Sequence, residues 1–296
     1  MNYIVFDLEW NQPANETVVV KEPVYLTGEI IEIGAVKLDE TFKIVDELRL
    51  YVMPKYYTKM HRKIASLTHI NDKCLQEKGM PFPEAFQAFR RWCGEEYAYM
   101  TWSDSDLPVL IDNMLLHGLD VSEIPVCYDI QRIFAREIMR TDRQYSLDTA
   151  IELLREQGDQ AHDALHDARN TVKVCDHLEL DIYLEEYGSR VFTEQPSTRV
   201  YNSMAEILSD ESLREFACPW CGEPIRCENF IPMPHHRLMT MGGCAQEDEF
   251  ILYLECLPCA GGGFRVSRLF YEMSDDLWDR YQDALELEAS RQEQPV

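Results

Sequence analysis

The sequence predicts an α/β protein in which a mixed β-sheet is flanked by helices, with a smaller C-terminal domain that holds a metal ion. The N-terminal part opens with three strand-like segments and continues with strands and helices in alternation, an order typical of α/β domains. The C-terminal part contains two Cys-x-x-Cys pairs, a spacing typical of zinc sites. A chain of 296 residues is long enough for one ordinary core and a second, smaller one.

The sheet is predicted to begin as an antiparallel meander. Tyr3–Phe6 is a short run of apolar residues that favour strands, and Glu29–Leu38 is apolar with partial alternation. A third strand is predicted over Phe42–Met53, after a turn at Asp39–Thr41. Consecutive strands joined by such short turns pair antiparallel, so these segments form one side of the sheet.

The remaining elements of the first domain follow in alternation. Residues 60–75 are predicted to form short helices around a turn. The later elements are strands over Tyr97–Trp102 and Val126–Ile130 and helices over Pro83–Cys93, Leu107–His117, Gln131–Met139, Ser146–Leu154 and His162–Leu180. Ser146 is of the residue type that caps a helix N-terminus. This pattern places the end of the α/β domain near residue 188.

Four segments are predicted along the whole chain. The α/β domain covers residues 1–188, and the polar residues 189–213, with one short helix around 204–208, are predicted to be a linker. The metal-binding domain is predicted over 214–270, and an acidic C-terminal region with a helix over 275–289 completes the chain at 271–296.

Composition excludes several classes of protein. The formal net charge of −25 disfavours binding of long duplexes through a broad basic surface, so any nucleic-acid contact should be short and local. No apolar run approaches the roughly 18 residues that a membrane span needs. The N-terminus lacks the features of a signal peptide, so we expect a cytoplasmic protein that does not contact membranes.

Two acids follow the first predicted strand. Asp7 and Glu9 are two residues apart, so on a strand they point to the same face. Buried carboxylates this close repel each other unless a cation lies between them, and hard ions such as Mg²⁺ or Mn²⁺ prefer oxygen ligands. An isolated Asp-x-Glu is more often a solvated strand end, so the metal site depends on further acids elsewhere in the chain.

Those further acids are Asp106 and Asp167. Asp106 lies just beyond the Tyr97–Trp102 strand, where α/β sheets bind ligands. Asp167 lies in the last predicted helix of the domain, five residues after His162. Five helical steps of about 100° put two residues on different faces. His162 and Asp167 can therefore serve one site only if His162 lies on the preceding loop or in the first helical turn.

These motifs resemble those of the DnaQ-like 3′→5′ exonucleases of the DEDDh type, which have an RNase H-like fold. The resemblance covers about residues 1–185. Three motifs carry it in the family's order, namely Asp7-x-Glu9, Trp102-Ser-Asp-Ser-Asp106-Leu, and His162-Asp-Ala-Leu-His-Asp167 preceded by Ser146-Leu-x-x-Ala150. Within the family the chain resembles the Eri-type and sporulation-kinase-inhibitor-like exonucleases.

The resemblance implies a phosphodiesterase reaction with two Mg²⁺ or Mn²⁺ ions that releases nucleoside 5′-monophosphates. Asp7 would bridge both ions, Glu9 and Asp167 would complete one of them, and Asp106 would contribute mainly through water. His162 would take the proton from the attacking water. Asp104 competes with Asp106, and His166 with His162, but the spacing of the family motifs favours Asp106 and His162.

Further residues are candidates for binding the 3′ end of a single strand. Trp10 directly follows Glu9 and could stack on the terminal base or belong to the core; the sequence supports both equally. Leu67, Thr68 and His69, followed by Ile70, resemble a Leu-Thr-Gly-Ile segment of the family that contacts the terminal nucleotide. The histidine at position 69 departs from the usual glycine and places a side chain where the backbone is expected to approach closely.

The cysteines of the C-terminal part predict a structural Zn²⁺ site resembling a zinc ribbon. Cys218 and Cys221 form one Cys-x-x-Cys pair, and Cys256 and Cys259 form the other, so four thiolates can surround one ion. The alternative is four reduced core cysteines. The insert between the pairs contains Cys227, Cys244, His235 and His236, for which no metal role is favoured, and a mobile loop is predicted over 233–243.

The predicted function is therefore metal-dependent 3′→5′ exonuclease activity on single-stranded RNA or short oligonucleotides, with the zinc domain as an accessory module. A zinc ribbon binds nucleic acid or protein, and the acidic composition favours a protein partner or docking on the chain's own exonuclease domain. Two alternatives remain: a DNA-directed exonuclease, and a regulatory protein that keeps the fold and binds a partner.

Overall fold

A computed structural model describes residues 1–15, 18–20, 24, 26–121, 124–141, 143–194, 199–233, 237–246, 248–259 and 262–292. The chain divides into two compact units. The first comprises Met1–Asp120 and Pro125–Glu185, and the second comprises Val121–Ile124 and Glu186–Val296. Among the described residues, no helix is both long and apolar enough to cross a bilayer.

The first unit contains a six-stranded mixed sheet. Its strands are β1 Asn2–Asn11, β2 Glu29–Leu38, β3 Ile44–Met53, β4 Met80–Pro81, β5 Tyr97–Thr101 and β6 Cys127–Asp129. The spatial order is β4-β3-β2-β1-β5-β6. Strands β1, β2 and β3 form the expected antiparallel meander, whereas β5 and β6 continue the sheet in parallel with β1. Strand β1 therefore lies at the centre, with an antiparallel neighbour on one side and a parallel one on the other.

The described part of the first unit contains eight helices, the last of which extends two residues beyond the unit's final residue, Glu185. They are α1 Arg62–Thr68, α2 Asp72–Lys78, α3 Phe82–Cys93, α4 Asp106–Leu116, α5 Ile130–Ile133 with a π-helical continuation Phe134–Ile138, α6 Leu147–Leu154, α7 Ala164–Cys175 and α8 Leu180–Tyr187. Ser146 caps α6 by accepting a hydrogen bond from the Thr149 amide, as its residue type predicts. The predicted fold class, a mixed sheet flanked by helices, is confirmed.

The helix predicted over His162–Leu180 is shorter and later than expected. The Asp163 side chain accepts a hydrogen bond from the His166 amide, at 3.0 Å, and thereby caps α7. A capping residue lies outside the helix that it begins, so the helical turns start at Ala164 and leave His162 on the preceding loop. Helix α7 ends at Cys175, and α8 is a separate helix that begins at Leu180, where the predicted helix was expected to end.

The second unit contains a larger sheet than a short zinc ribbon would need. Its strands are β7 Val191–Glu194, β8 Glu215–Ala217, β9 Pro224–Cys227, β10 Ile231–Met233, β11 Arg237–Gly243, β12 Glu249–Pro258 and β13 Phe264–Glu272. The order is β7-β13-β12-β11-β9-β8, with β10 paired to β11. Helix α9 Met204–Ser209 and a 3₁₀ turn Glu211–Arg214 precede β8, and helix α10 Asp275–Gln292 ends the described chain.

Two segment predictions in this region, a linker and a loop, are wrong for the described residues. The segment 189–213 is not a linker, because β7 pairs with β13 and the side chains of Tyr201, Ile207 and Leu213 are buried in the core of the second unit. Nor is 233–243 a loop, because Met233 and Arg237–Gly243 belong to paired strands. Backbone pairing with a distant strand supplied order that local periodicity did not indicate. His235 and His236 lie outside the described residues.

Candidate active site

The central strand β1 carries the first two acids. Asp7 and Glu9 are half-buried, and their cross-strand partners on β2 are Gly34 and Glu32, respectively. A β-bulge follows at Glu9 and Trp10. The parallel pairing of β1 with β5 extends to Val5, so Asp7 and Glu9 lie just beyond it, at the carboxyl edge of the parallel strands. This edge is where α/β sheets place ligands.

Asp106 reaches the same edge from the neighbouring strand. It is the first residue of α4, directly after the loop that follows β5, and it is 4% exposed. The backbone N–H of Leu8 donates a 3.0 Å hydrogen bond to its Oδ1 atom. Leu8 lies between Asp7 and Glu9, so this bond holds the Asp106 carboxylate against β1. The competing acid, Asp104, is exposed on the loop.

Helix α7 and its preceding loop supply Asp167 and His162. One ligating atom each of Glu9, His162 and Asp167 lies within 4.8 Å of the other two. The backbone N–H of His162 donates to Asp167 Oδ2 at 2.9 Å, so the loop is fastened to the helical acid. His162 is exposed and has a left-handed backbone, with φ of 63°. The loop position is the one that the five-residue separation requires if both residues serve one site.

Gly34 determines how closely α7 approaches the sheet. A β-carbon built on Gly34 would lie 2.1 Å from the Ala164 carbonyl carbon and 2.1 Å from the Leu165 nitrogen. Backbone atoms cannot yield as a flexible side chain can, so only glycine allows this contact. Because Gly34 is the cross-strand partner of Asp7, the first turn of α7, which carries Asp167, lies beside Asp7.

The electrostatics of these acids favour a bound cation. Burial, followed by the charges of Asp106 and the other acids, raises the pKa of Asp7 well above its usual range. Burial is also the largest cause that raises the pKa of Glu9 to about 8, of Asp106 to about 7 and of Asp167 to about 6. A bound cation would compensate the charge of these carboxylates and favour their ionised forms. Their oxygen donors fit Mg²⁺ or Mn²⁺.

Comparison with protein-family models identifies the first unit. The exonuclease model RNase_T matches residues 4–175, more than half of the chain. The chain belongs to this exonuclease family. The prediction that the protein is a nuclease of the hydrolase class is thereby confirmed. A search of curated proteins by sequence finds no significant match.

Solved structures resemble parts of this chain at low identity. A 3′-exonuclease determined for its 3′-end-specific recognition of a histone mRNA stem-loop is 20% identical, with a TM-score of 0.52, and the match covers 61% of this chain and 82% of that one. Cell-death related nuclease 4 is 20% identical with a TM-score of 0.49; the match covers 60% of this chain and 62% of that nuclease, less than two thirds of its length. E. coli exonuclease I with a dA16 oligonucleotide is 11% identical with a TM-score of 0.47, at 81% and 54% coverage.

The exonuclease unit also contains an acid–arginine network that motif analysis missed. Glu32 faces Glu9 across the strands and accepts a 3.3 Å hydrogen bond from the Ala164 amide. Arg49 on β3 contacts both Glu32, at 3.4 Å from Nε to Oε1, and the helix-capping Asp163 through Nη2. Burial and then Asp163 raise the pKa of Glu32 to about 7, although Arg49 opposes this shift. The network fixes the start of α7 beside Glu9 on β1. The sequence signal that could have revealed this network is Glu32 itself, an acid inside the largely apolar strand β2.

His166, the competitor of His162, faces this network. Its Nδ1 atom lies 3.6 Å from Asp163 Oδ1, and its side chain is half-buried. Its backbone N–H donates to the same Asp163 carboxylate. His166 therefore contacts the helix cap, whereas His162 is the histidine placed near Glu9 and Asp167.

The predicted nucleotide-binding residues lie around exposed positions of the exonuclease unit. The Trp10 ring is half-buried and lies against the backbone of Gly28, so it combines a packing contact with an accessible part. Leu67 and His69 are exposed, whereas Thr68 is buried and its Oγ1 atom donates to the Ile64 carbonyl at 3.0 Å. His69 ends α1 in a left-handed conformation, with φ of 58°. Glycine adopts that conformation without strain, which gives a physical reason for glycine at this position in the motif that the segment resembles.

The predicted four-cysteine cage differs from the set that the structure brings together. Cys218 and Cys221 lie with Cys244 and Asp248, all four ligand atoms being within 4.8 Å of one another. Cys256 lies on β12, opposite Val266 on β13. The register of the β11–β12 hairpin places the Cys244–Asp248 turn near the first cysteine pair and sends the second pair to the opposite end of β12.

Proposed function

We propose that the protein is a metal-dependent 3′→5′ exonuclease that releases nucleoside 5′-monophosphates from single-stranded RNA or short oligonucleotides. One observation carries the proposal. Four acids from three separate parts of the chain converge at the carboxyl edge of β1 and β5, with a histidine beside two of them. These residues are Asp7, Glu9, Asp106, Asp167 and His162.

The four carboxylates would hold the Mg²⁺ or Mn²⁺ ions. When bound, such ions stabilise negative charge on a phosphate and lower the pKa of water. The raised pKa values of the acids indicate that the site requires compensating positive charge at neutral pH. Oxygen donors of this kind suit hard ions better than zinc.

The protein itself positions the proton acceptor. The His162 imidazole takes the proton of the attacking water, and its exposed loop gives access to solvent and substrate. The hydrogen bond from the His162 amide to Asp167 keeps loop and acid in fixed relation. Arg49 stabilises this arrangement of loop and helix, because it contacts both the helix-capping Asp163 and Glu32.

The substrate end is bound locally. The accessible part of Trp10 can stack on a base, a contact worth about 1–3 kcal/mol. The exposed Leu67 and His69 can contact the same terminal nucleotide. A net charge of −25 favours a short single-stranded end over a long duplex. The fold shared with a 3′-exonuclease that recognises an RNA 3′ end makes RNA the first substrate to test.

The direct test is a substrate panel. RNA, DNA and di- to tetranucleotides, each labelled at the 5′ or the 3′ end, are incubated with Mg²⁺, with Mn²⁺ or with chelator. We expect metal-dependent release of 5′-mononucleotides from the 3′ end, with RNA or the shortest substrates degraded fastest. Preferred DNA degradation would replace the proposed substrate class.

The regulatory alternative predicts a different result for the same panel. A protein that only binds a partner would release no mononucleotide under any metal condition, and its Asp7→Ala variant would behave like the wild type. Equal traces from the two proteins would therefore overturn the proposed activity.

A further inference from the structure

The second unit contains a cluster of metal-ligating side chains that the exonuclease reaction does not use. The sulfur atoms of Cys218, Cys221 and Cys244 and a carboxylate oxygen of Asp248 all lie within 4.8 Å of one another. The β8–β9 turn supplies the first two residues, and the β11–β12 turn supplies the other two. We propose that these four side chains bind one structural Zn²⁺ ion.

The distances fit the edges of a zinc tetrahedron. Zinc bonds of about 2.3 Å to sulfur and about 2.0 Å to oxygen place two sulfurs about 3.8 Å apart and a sulfur and an oxygen about 3.5 Å apart. The Cys221 and Cys244 sulfurs are 3.8 Å apart. Asp248 Oδ2 lies 3.5 Å from the Cys218 sulfur and 3.3 Å from the Cys244 sulfur. Three edges thus match a four-coordinate site with three thiolates and one carboxylate.

The first turn has the backbone of a tight Cys-x-x-Cys-Gly loop. The Cys218 N–H donates to the Glu223 carbonyl at 2.8 Å, and the Gly222 N–H donates to the Cys218 carbonyl at 2.9 Å. Gly222 has φ of 72°, and a β-carbon there would meet no atom within 4 Å. Glycine is therefore needed for its conformation rather than for space, and the turn presents both cysteines on one side.

The second turn orients its ligands in a similar way. The Cys244 N–H donates to the Asp248 carbonyl at 2.9 Å, which closes the turn. The Gln246 N–H points to the Cys244 sulfur at 3.4 Å. Together with the 3.3 Å contact between the Cys244 sulfur and Asp248 Oδ2, this contact orients the sulfur towards the other ligand atoms.

The second cysteine pair is too distant to complete this site. Asp248 directly precedes β12, and Cys256 lies seven residues beyond the first residue of that strand, which at about 3.3 Å per residue corresponds to about 23 Å. Cys256 is 3% exposed, and burial raises the pKa of its thiol to about 11. It therefore behaves as a small core residue, the alternative that the sequence left open for these cysteines.

The proposed ion would stabilise the attachment of the β8–β9 hairpin to the sheet. Strand β9 pairs with β11 over two residues, Gly242 and Gly243, so few backbone hydrogen bonds hold the β8–β9 hairpin to the rest of the sheet. A zinc ion shared by the two turns would fasten that hairpin. Thiolate ligands select zinc over Mg²⁺, so the two metal sites of the chain would take different ions.

The test begins with the full-length protein purified without added metal. Elemental analysis after gel filtration should find about one zinc per chain. Replacement by Co²⁺ should give thiolate-to-metal charge-transfer absorption with the intensity of three thiolates. Less than about half an equivalent of zinc together with free thiols, or a Cys221–Cys244 disulfide in its place, would overturn the proposal.

Matched variants identify the ligands. Cys244→Ser and Asp248→Asn should each weaken zinc binding by at least about 100-fold, because each removes a ligand. Cys256→Ser and Cys259→Ser should change it by less than about 3-fold. The reverse pattern, with zinc lost in Cys256→Ser and kept in Cys244→Ser, would establish the four-cysteine cage and overturn this site. Asp248→Asn preserves side-chain shape, so it decides the matter even if Cys244→Ser fails to fold.

Discussion

In the exonuclease unit the ligating side chains lie on a buried central strand and at the starts of two helices, whereas in the C-terminal unit they lie on two hairpin turns. The sheet and the helices hold the acids close together, although burial and mutual repulsion raise the pKa of each. The turn between β8 and β9 is packed through Cys218, which is 2% exposed, and Trp220, whose ring centroid lies 5.2 Å from that of Phe192, but β9 shares two residue pairs with β11. The comparison indicates that paired strands and helices impose the exonuclease site, whereas an ion in the proposed zinc site would add a link between two turns.

The largest expected effect on turnover comes from removing an acid of the proposed catalytic site. Asp7→Ala should lower the turnover rate by at least about 1,000-fold, because it removes a ligand of the ions that stabilise the reacting phosphate. Its metal-free melting temperature should be unchanged or higher, because one of several repelling charges is gone. Mononucleotide release and thermal unfolding in chelator measure the two effects.

Two controls sharpen this prediction. Asp104→Ala, at the exposed competitor on the same loop as Asp106, should keep most activity. Asp248→Asn should show the opposite behaviour to Asp7→Ala, with turnover of a dinucleotide kept and protease resistance of the C-terminal unit lowered. Near-wild-type hydrolysis by Asp7→Ala would exclude the carboxylate metal site.

The next effect separates the two histidines of the third motif. His162→Ala should reduce turnover by about 100-fold or more, because general-base catalysis commonly contributes that much. His166→Ala, which alters only contacts with the helix cap, should lose less than about 10-fold. A greater loss of turnover in His166→Ala than in His162→Ala would mean that His166, and not His162, is the base of the third motif.

The contact between α7 and the sheet gives a smaller effect. Gly34→Ala must push the helix away, since its β-carbon would lie 2.1 Å from backbone atoms. We expect a loss of about 1–3 kcal/mol in the free energy of unfolding. We also expect about a 10- to 100-fold loss of turnover as Asp167 moves away from Asp7. Gly158→Ala is the matched control, because its closest contact is a side-chain methyl group at 3.2 Å. Equal behaviour of both variants would show that this close approach is not needed.

The smallest effect tests the electrostatic side of the comparison. The pKa of Glu9 is about 8 in the folded protein, above its usual value near 4.5, so the folded state binds its proton more tightly than the unfolded state. The metal-free protein therefore loses stability as pH rises through this range. Glu9→Gln, which stays neutral, should match the stability of the wild type near pH 5 and be the more stable of the two near pH 9. Denaturant titrations at both pH values measure this difference, and a pH-independent difference would contradict it.

Much of the exonuclease unit follows from its sequence. Local patterns predicted β2 at Glu29–Leu38 with the same boundaries as the structure, the cap at Ser146 and the need for His162 to lie outside its helix. The meeting of the acids at one edge was also predictable, because Asp7 and Glu9 lie on one face of the first strand and Asp106 comes just after the neighbouring parallel strand. The comparisons with known proteins confirm the family and the fold class.

The remaining features depend on long-range pairing. Arg49 and Asp163 are 114 residues apart, and their contact follows from the register of β3 and the position of α7. In the C-terminal unit, which cysteines meet depends on the β11–β12 hairpin, and the Cys-x-x-Cys spacing carries no information about it. The strand β7 was missed because its four residues gain their order from β13.

The left-handed backbone at His162 has a consequence for how the protein could change over time. A residue with a β-carbon is strained at φ of 63°, at a cost of roughly 1 kcal/mol that glycine would avoid. Selection for thermal tolerance alone would thus favour glycine at position 162, and selection for turnover would oppose it. With His162 as the proposed base, stability and reactivity would conflict at this single loop position, and a lineage that no longer needed hydrolysis would be expected to lose the histidine early while keeping the fold.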